Sequence, residues 1–145
     1  MARFAASKGS LELFLYGDVG GFGDGLSASA LATLLADPAH KDVKTIKLRI
    51  NSMGGDAFDG LAIYNQLTRH AARVEVTIDG IAASAASIIA MAGDEISIAS
   101  NALMMIHEAS GGAGGGTASA HERDAEALRA LNEGVPVTKS GSTPI

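Results

Sequence analysis

The sequence predicts an α/β domain in which strands and helices alternate along the chain. Stretches such as Leu11-Glu12-Leu13-Phe14-Leu15 and Ile46-Lys47-Leu48-Arg49-Ile50 alternate apolar and polar residues at the period of a half-buried strand. Residues 26–36 and 58–69 instead carry apolar residues at helical spacing. Glycine makes up 18 of 145 residues and gathers at 17–25, 54–55 and 111–116. Glycine concentrated at junctions marks turns where the backbone must come close to something.

The first strand, 11–15, runs into the glycine-rich loop "GDVGGFGDG". A helix over 26–36 follows, with Leu26, Ala30, Leu31, Leu34 and Leu35 on one stripe, and Asp37-Pro38 ends it. The second strand turns Ile46, Leu48 and Ile50 inward and leads into the turn "NSMGGD". Residues 58–69 form the next helix, with Phe58, Leu61, Ala62 and Leu67 as its apolar members. Val74-Glu75-Val76-Thr77-Ile78 is a third strand, and 83–92 a short helix of small and apolar residues. Strands at 96–98 and 103–106 come next. Ser119 and Glu122 fit a capping box opening a helix striped by Ala125, Leu128 and Leu131, which Gly134 and Pro136 stop. The expected organisation is one domain over 1–133 and an unpatterned, flexible tail over 134–145.

Composition narrows the function. A net charge of −5 argues against a dedicated nucleic-acid binder, which shows a basic face. The absence of cysteine excludes disulfide frameworks, thiolate catalysis and cysteine-ligated zinc. No apolar run reaches the roughly 18 residues of a membrane span, and "MARFAASKGS" lacks a secretory core, so a cytoplasmic location is expected.

In α/β folds of this kind sites gather at the carboxyl ends of the strands. Three turns meet that description: "NSMGGD", "DGIAAS" and "HEASGG". Ser84 and Ser87 interrupt the small, apolar run "IDGIAASAASIIA". Each is either a packing residue bonded to a carbonyl of the preceding turn or a nucleophile at a helix start. His40 and His70 lie beside charged helix ends and His121 in a capped first turn, all read as solvated. His107 follows Leu103-Met104-Met105-Ile106 at a strand's carboxyl end, as a packed histidine or a general base. Gly54-Gly55 is a tight turn or a bare amide aimed at a substrate oxygen. Asp56 and Asp59 lack a third ligand at metal spacing, so Asp56 reads as a helix N-terminal residue, and neither metal nor cofactor is expected.

"INSMGGDAFDGLAIYNQL", "IDGIAASAASIIAMAGDEI" and "NALMMIHEASGG" resemble, in order and spacing, the motifs of the Clp protease proteolytic subunit family, ClpP. The resemblance runs from about Leu11 to about Glu133 and looks closest to phage and prophage head-maturation members. It implies a ClpP/crotonase-like α/β fold of repeated ββα and βαβ units, ending in a handle helix that is shortened here. It implies Ser84 as nucleophile, His107 as general base, and the Gly55 and Ala85 amides as the oxyanion hole. An extended substrate would pair beside the glycine turn, at Gly54, Asp56 and Ala57. Ser87 matches no catalytic position.

Two departures stand out. The family's third triad member, an aspartate beyond the handle helix, has no counterpart in "GVPVTKSGSTPI". Loss of such an acid costs roughly 10⁴-fold in rate, so impaired activity is expected. Met53 stands where the family commonly has proline, which leaves that turn less fixed. The resemblance further implies polypeptide substrates, capsid or scaffold proteins among them, and a homo-oligomer of heptameric or stacked rings. An AAA+ unfoldase partner stays open, and neither nucleic acid nor membrane is expected. An inactive ring subunit and a crotonase-like acyl-CoA enzyme are the competing readings.

Overall fold

Alternating burial along the strands generates a seven-stranded sheet with one oily and one polar face. A computed structural model describes residues 3–21, 25–107, 122, 125, 126, 129, 130, 133 and 142–144. Strands β1 (Arg3–Ser7) and β2 (Ser10–Tyr16) form an antiparallel hairpin. β3 (Thr45–Ser52), β4 (Arg73–Ala83) and β5 (Glu95–Ile98) then add in parallel. β6 (Leu103–Met105) pairs in parallel with the far end of β4, and β7 (Ser142–Pro144) lies beside β5, within a segment whose sequence shows no pattern. The α/β class follows the sequence reading.

Leu11, Leu13 and Leu15 of β2, Ile46, Leu48 and Ile50 of β3, and Val74, Val76 and Ile78 of β4 are all buried. They share one core with Leu31 of helix α1 (Ala28–Ala36), Ile63 and Leu67 of α2 (Ala57–Arg69) and Ile89 of α3 (Ala85–Ala90). The intervening residues Glu12, Lys47, Arg49, Glu75 and Thr77 line a cavity of about 250 Å³ on the other face. Parallel sheets are usually covered on both faces and read as continuous apolar runs. The polar second face here is why the strands alternate in sequence.

Local details depart from expectation in four places. Ser27, not Leu26, opens α1: its hydroxyl accepts from the Ala30 N–H at 3.2 Å. Leu26 and Leu31 then hold the N′ and N4 positions of a hydrophobic staple. In α2 the buried face is Gly60, Ile63 and Leu67, while Phe58 is 61% exposed. A Cβ on Gly60 would lie 2.9 Å from that of Ala85, and this close approach to α3 fixes which face turns inward. β4 runs five residues past Ile78, through Asp79-Gly80, so α3 starts at Ala85 and ends at Ala90. β6 does not rise out of a sealed core: Leu103, Met105 and Ile106 are exposed, and β6 has β4 as its partner.

His40 is buried rather than solvated. A 3-10 turn over Pro38–His40 folds its ring back so that Nδ1 meets the Leu34 carbonyl at 2.9 Å, with Phe4 edge-on. His70 caps α2, its Nδ1 accepting from the Ala72 N–H. The expected helix is helical at its described positions Glu122, Ala125, Glu126, Arg129, Ala130 and Glu133, and His121 lies outside the described residues. Among the described residues no helix is long and apolar enough to cross a membrane.

Candidate active site

β3 and β4 end side by side, and the turns that leave them touch. β4 stops at Ala83 and α3 begins at Ala85, so Ser84 alone must reverse the chain. It does so at φ 54°, ψ −126°, the one positive φ at a non-glycine among the described residues. Such a conformation costs of order 1–3 kcal/mol and persists only when its surroundings enforce it. Here they do. The Ser84 N–H donates to the Met105 carbonyl at 3.0 Å, and the Ser84 carbonyl accepts from both the N–H and the hydroxyl of Ser87, at 2.9 and 2.6 Å. Ser87 is 3% exposed and is spent on this turn. The Ser84 hydroxyl makes no capping bond, and the residue is half-buried.

The second turn locks the first. The buried Ser52 hydroxyl at the end of β3 accepts from the Gly54 N–H at 3.1 Å, and Gly54 and Gly55 take φ of 100° and 147°. A Cβ on Gly54 would sit 2.6 Å from the Ala83 carbonyl oxygen, 2.7 Å from the Ser84 Cβ and 3.0 Å from the Ala85 nitrogen. Only glycine allows that contact. Val19 braces the other side: its N–H donates to the Gly54 carbonyl at 2.8 Å and its carbonyl accepts from the Asp56 N–H at 2.9 Å. The sequence reading missed Val19, though a lone apolar residue between Gly17 and Gly20 was the available signal.

Among the described residues, neither the Gly55 nor the Ala85 N–H donates a hydrogen bond. Both lie within one residue of the Gly54–Ser84 contact. N–H groups with no partner beside a nucleophile are what a developing oxyanion needs. Of the residues expected to pair with a substrate strand, Gly54 uses its carbonyl and Asp56 its N–H on Val19. Asp56 caps α2, accepting from the Asp59 N–H at 2.8 Å, and Ala57 is the first residue of that helix. The Asp59 carboxylate accepts from the Ala28 N–H and ties α2 to α1, so both acids serve helix termini.

His107 reaches the same end of the sheet by another strand. Ala83 pairs with Met105, so Ser84 and His107 stand one and two residues beyond the last matched pair of neighbouring parallel strands. Such strands lie about 4.8 Å apart. His107 is exposed; Glu108 lies outside the described residues.

The strongest charge cluster sits on the polar face. Arg49 Nε donates to Asp79 Oδ2 at 2.8 Å, Arg49 Nη2 engages Oδ1, and the Tyr16 hydroxyl donates to Oδ2 at 2.6 Å. The hydrogen bonds from Arg49 chiefly, and from Tyr16, hold the Asp79 carboxyl below the usual carboxylate range, against the opposing effect of burial. The same bond to Asp79 raises the Tyr16 phenol. Asp79 is therefore committed to Arg49 and Tyr16.

The family model described as Clp protease matches residues 10–143. An ATP-dependent Clp protease proteolytic subunit of Streptococcus pyogenes serotype M5 (strain Manfredo) is 38% identical over 96 residues, covering 65% of this chain and 49% of the relative. The subunit of the same name from Streptococcus thermophilus (strain ATCC BAA-491 / LMD-9) is 34% identical over 129 residues, covering 80% of this chain and 66% of the relative. The chain thus spans about half the length of most of the curated relatives it matches. A match across almost every described element, both turns of the site included, means that this chain belongs to the Clp protease family.

Proposed function

We propose that the chain is a serine-type endopeptidase in which Ser84 is the nucleophile and His107 the general base. The observation that carries this reading is the strained Ser84 turn, packed on Gly54 and flanked by the amides of Gly55 and Ala85, which donate to no partner among the described residues. Ser84 Oγ attacks the scissile carbonyl while His107 takes its proton. The carbonyl oxygen, now an anion, is held by the Gly55 and Ala85 N–H groups. Collapse expels the amine, which receives the proton from His107, and water then hydrolyses the Ser84 ester by the same route. α3 is only six residues long, so its contribution is the Ala85 N–H at its first position more than a summed dipole.

The substrate is an extended polypeptide laid along Gly55 and the start of α2 at Ala57. Exposed Met53 and Phe58 on one side, and Met105 and Ile106 on the other, offer apolar contacts to its side chains. The sequence resemblance makes capsid or scaffold proteins of phage particles the natural substrates, and a homo-oligomeric ring the working form.

The test combines cleavage of a fluorogenic peptide with fluorophosphonate labelling of the wild type, Ser84→Ala and Ser87→Ala. Cleavage and labelling lost in the first variant and retained in the second support the peptidase. Absence of labelling with tight binding of an acyl-CoA thioester would replace it with crotonase-like chemistry. Assembly without either activity would leave a structural subunit.

A further inference from the structure

The Ser84 turn sits two residues beyond Ala82, where pairing with β3 resumes after a discontinuity in β4. Up to the Ile50–Ile78 pair, β3 and β4 run in step; the next matched pair is Ser52–Ala82, so two residues of β3 are answered by four of β4. Beyond this bulge β4 changes neighbour from β5 to β6. Gly80 closes the bulge over the Asn51 side chain, whose Oδ1 lies 2.5 Å from where a Cβ would be. Asp79 opens the bulge, and its carboxylate is gripped from β3 by Arg49 and from the end of β2 by Tyr16. Tyr16 is itself the register partner of Asn51.

We infer that the Arg49–Asp79–Tyr16 clasp is a positioning device that fixes the β4 bulge and thereby the placement of Ser84; this rests on the proposed role of Ser84. Extra residues in a strand are the part of a ladder most free to redistribute. A shift of the bulge would slide residues 81–83 along β6 and carry Ser84 with them. The contact of Gly54 with the Ala83 carbonyl and the Ser84 Cβ leaves no slack, so the same shift misaligns the Gly55 amide. The clasp therefore acts on alignment in the transition state, where small displacements weigh most.

The experiment compares Asp79→Asn, Arg49→Ala, their double variant, and Arg73→Ala, which breaks the exposed Arg73–Glu95 pair of the same sheet. In the first arm, fluorophosphonate acylation is measured per folded molecule across probe concentrations. The two clasp variants are expected to slow the limiting rate roughly tenfold at unchanged half-saturation. The double variant should be no slower than either single one, and Arg73→Ala should match the wild type. Wild-type rates in Asp79→Asn, or losses equalled by Arg73→Ala, would overturn the inference. The second arm needs no chemistry: amide hydrogen exchange should quicken over residues 79–87 in Asp79→Asn and stay unchanged over 46–50. Uniform quickening, or none, would overturn it. If the wild type forms no Ser84 adduct, the nucleophile reading fails by itself and the exchange arm alone decides the clasp.

Discussion

Ser84 holds a backbone conformation that glycine adopts freely and serine resists. If the strain is kept for the sake of the hydroxyl, removing the side chain should relieve it. Ser84→Gly is accordingly expected to stabilise the fold by about 1 kcal/mol in thermal melts while abolishing any peptidase activity. The reverse holds at Gly54, where a methyl would strike the Ala83 carbonyl and the Ser84 side chain. Gly54→Ala should cost about 2 kcal/mol or more and displace the turn, read by melting and by loss of labelling. Ser87→Ala deletes a buried bond to the Ser84 carbonyl and should cost about 1 kcal/mol without removing the nucleophile. At this scale the sequence showed two serines in a small, apolar run, of which the family resemblance singled out Ser84, and that "GG" followed a strand. It showed neither the Ser84 φ nor the brace from Val19, because both arise from contacts between segments distant in the chain.

Strands were legible because the sheet leaves one face polar, which stamps period two on residues 11–15 and 46–50. The far half of β4 was not, since Asp79-Gly80 has the composition of a turn. It stays in the sheet by pairing with β6 and with Ser52 of β3, and Asp79 is held by Arg49 and Tyr16, all tertiary effects. The inward face of α2 was read correctly at Leu67 but not at Phe58, because the close approach of Gly60 to Ala85 turns Gly60, Ile63 and Leu67 inward. The clasp also has a pH signature. Asp79 has a folded pKa below its unfolded value near 4, so its contribution to stability is present above that value and fades as pH falls through the folded one. In melts from pH 7 to pH 2, the wild type should exceed Asp79→Asn at neutral pH, and the gap should close below about pH 4.

For the whole molecule, the family match and the sheet order agree, and the site lies where neighbouring parallel strands end. β6 and the residue after it present Leu103, Met105 and Ile106 to solvent beside His107, an apolar edge that a ring neighbour or a bound peptide would cover. If the ring forms, light scattering should give a mass several times the 14.6 kDa of one protomer. Solution as a monomer would remove assembly from the account without touching the chemistry of Ser84.

That chemistry is tested most directly by mapping where a fluorophosphonate attaches. Peptide mass mapping should find one adduct, on Ser84, formed at least about 100-fold more slowly in His107→Ala. An adduct on any other residue, no adduct at all, or a rate indifferent to His107 would contradict the account.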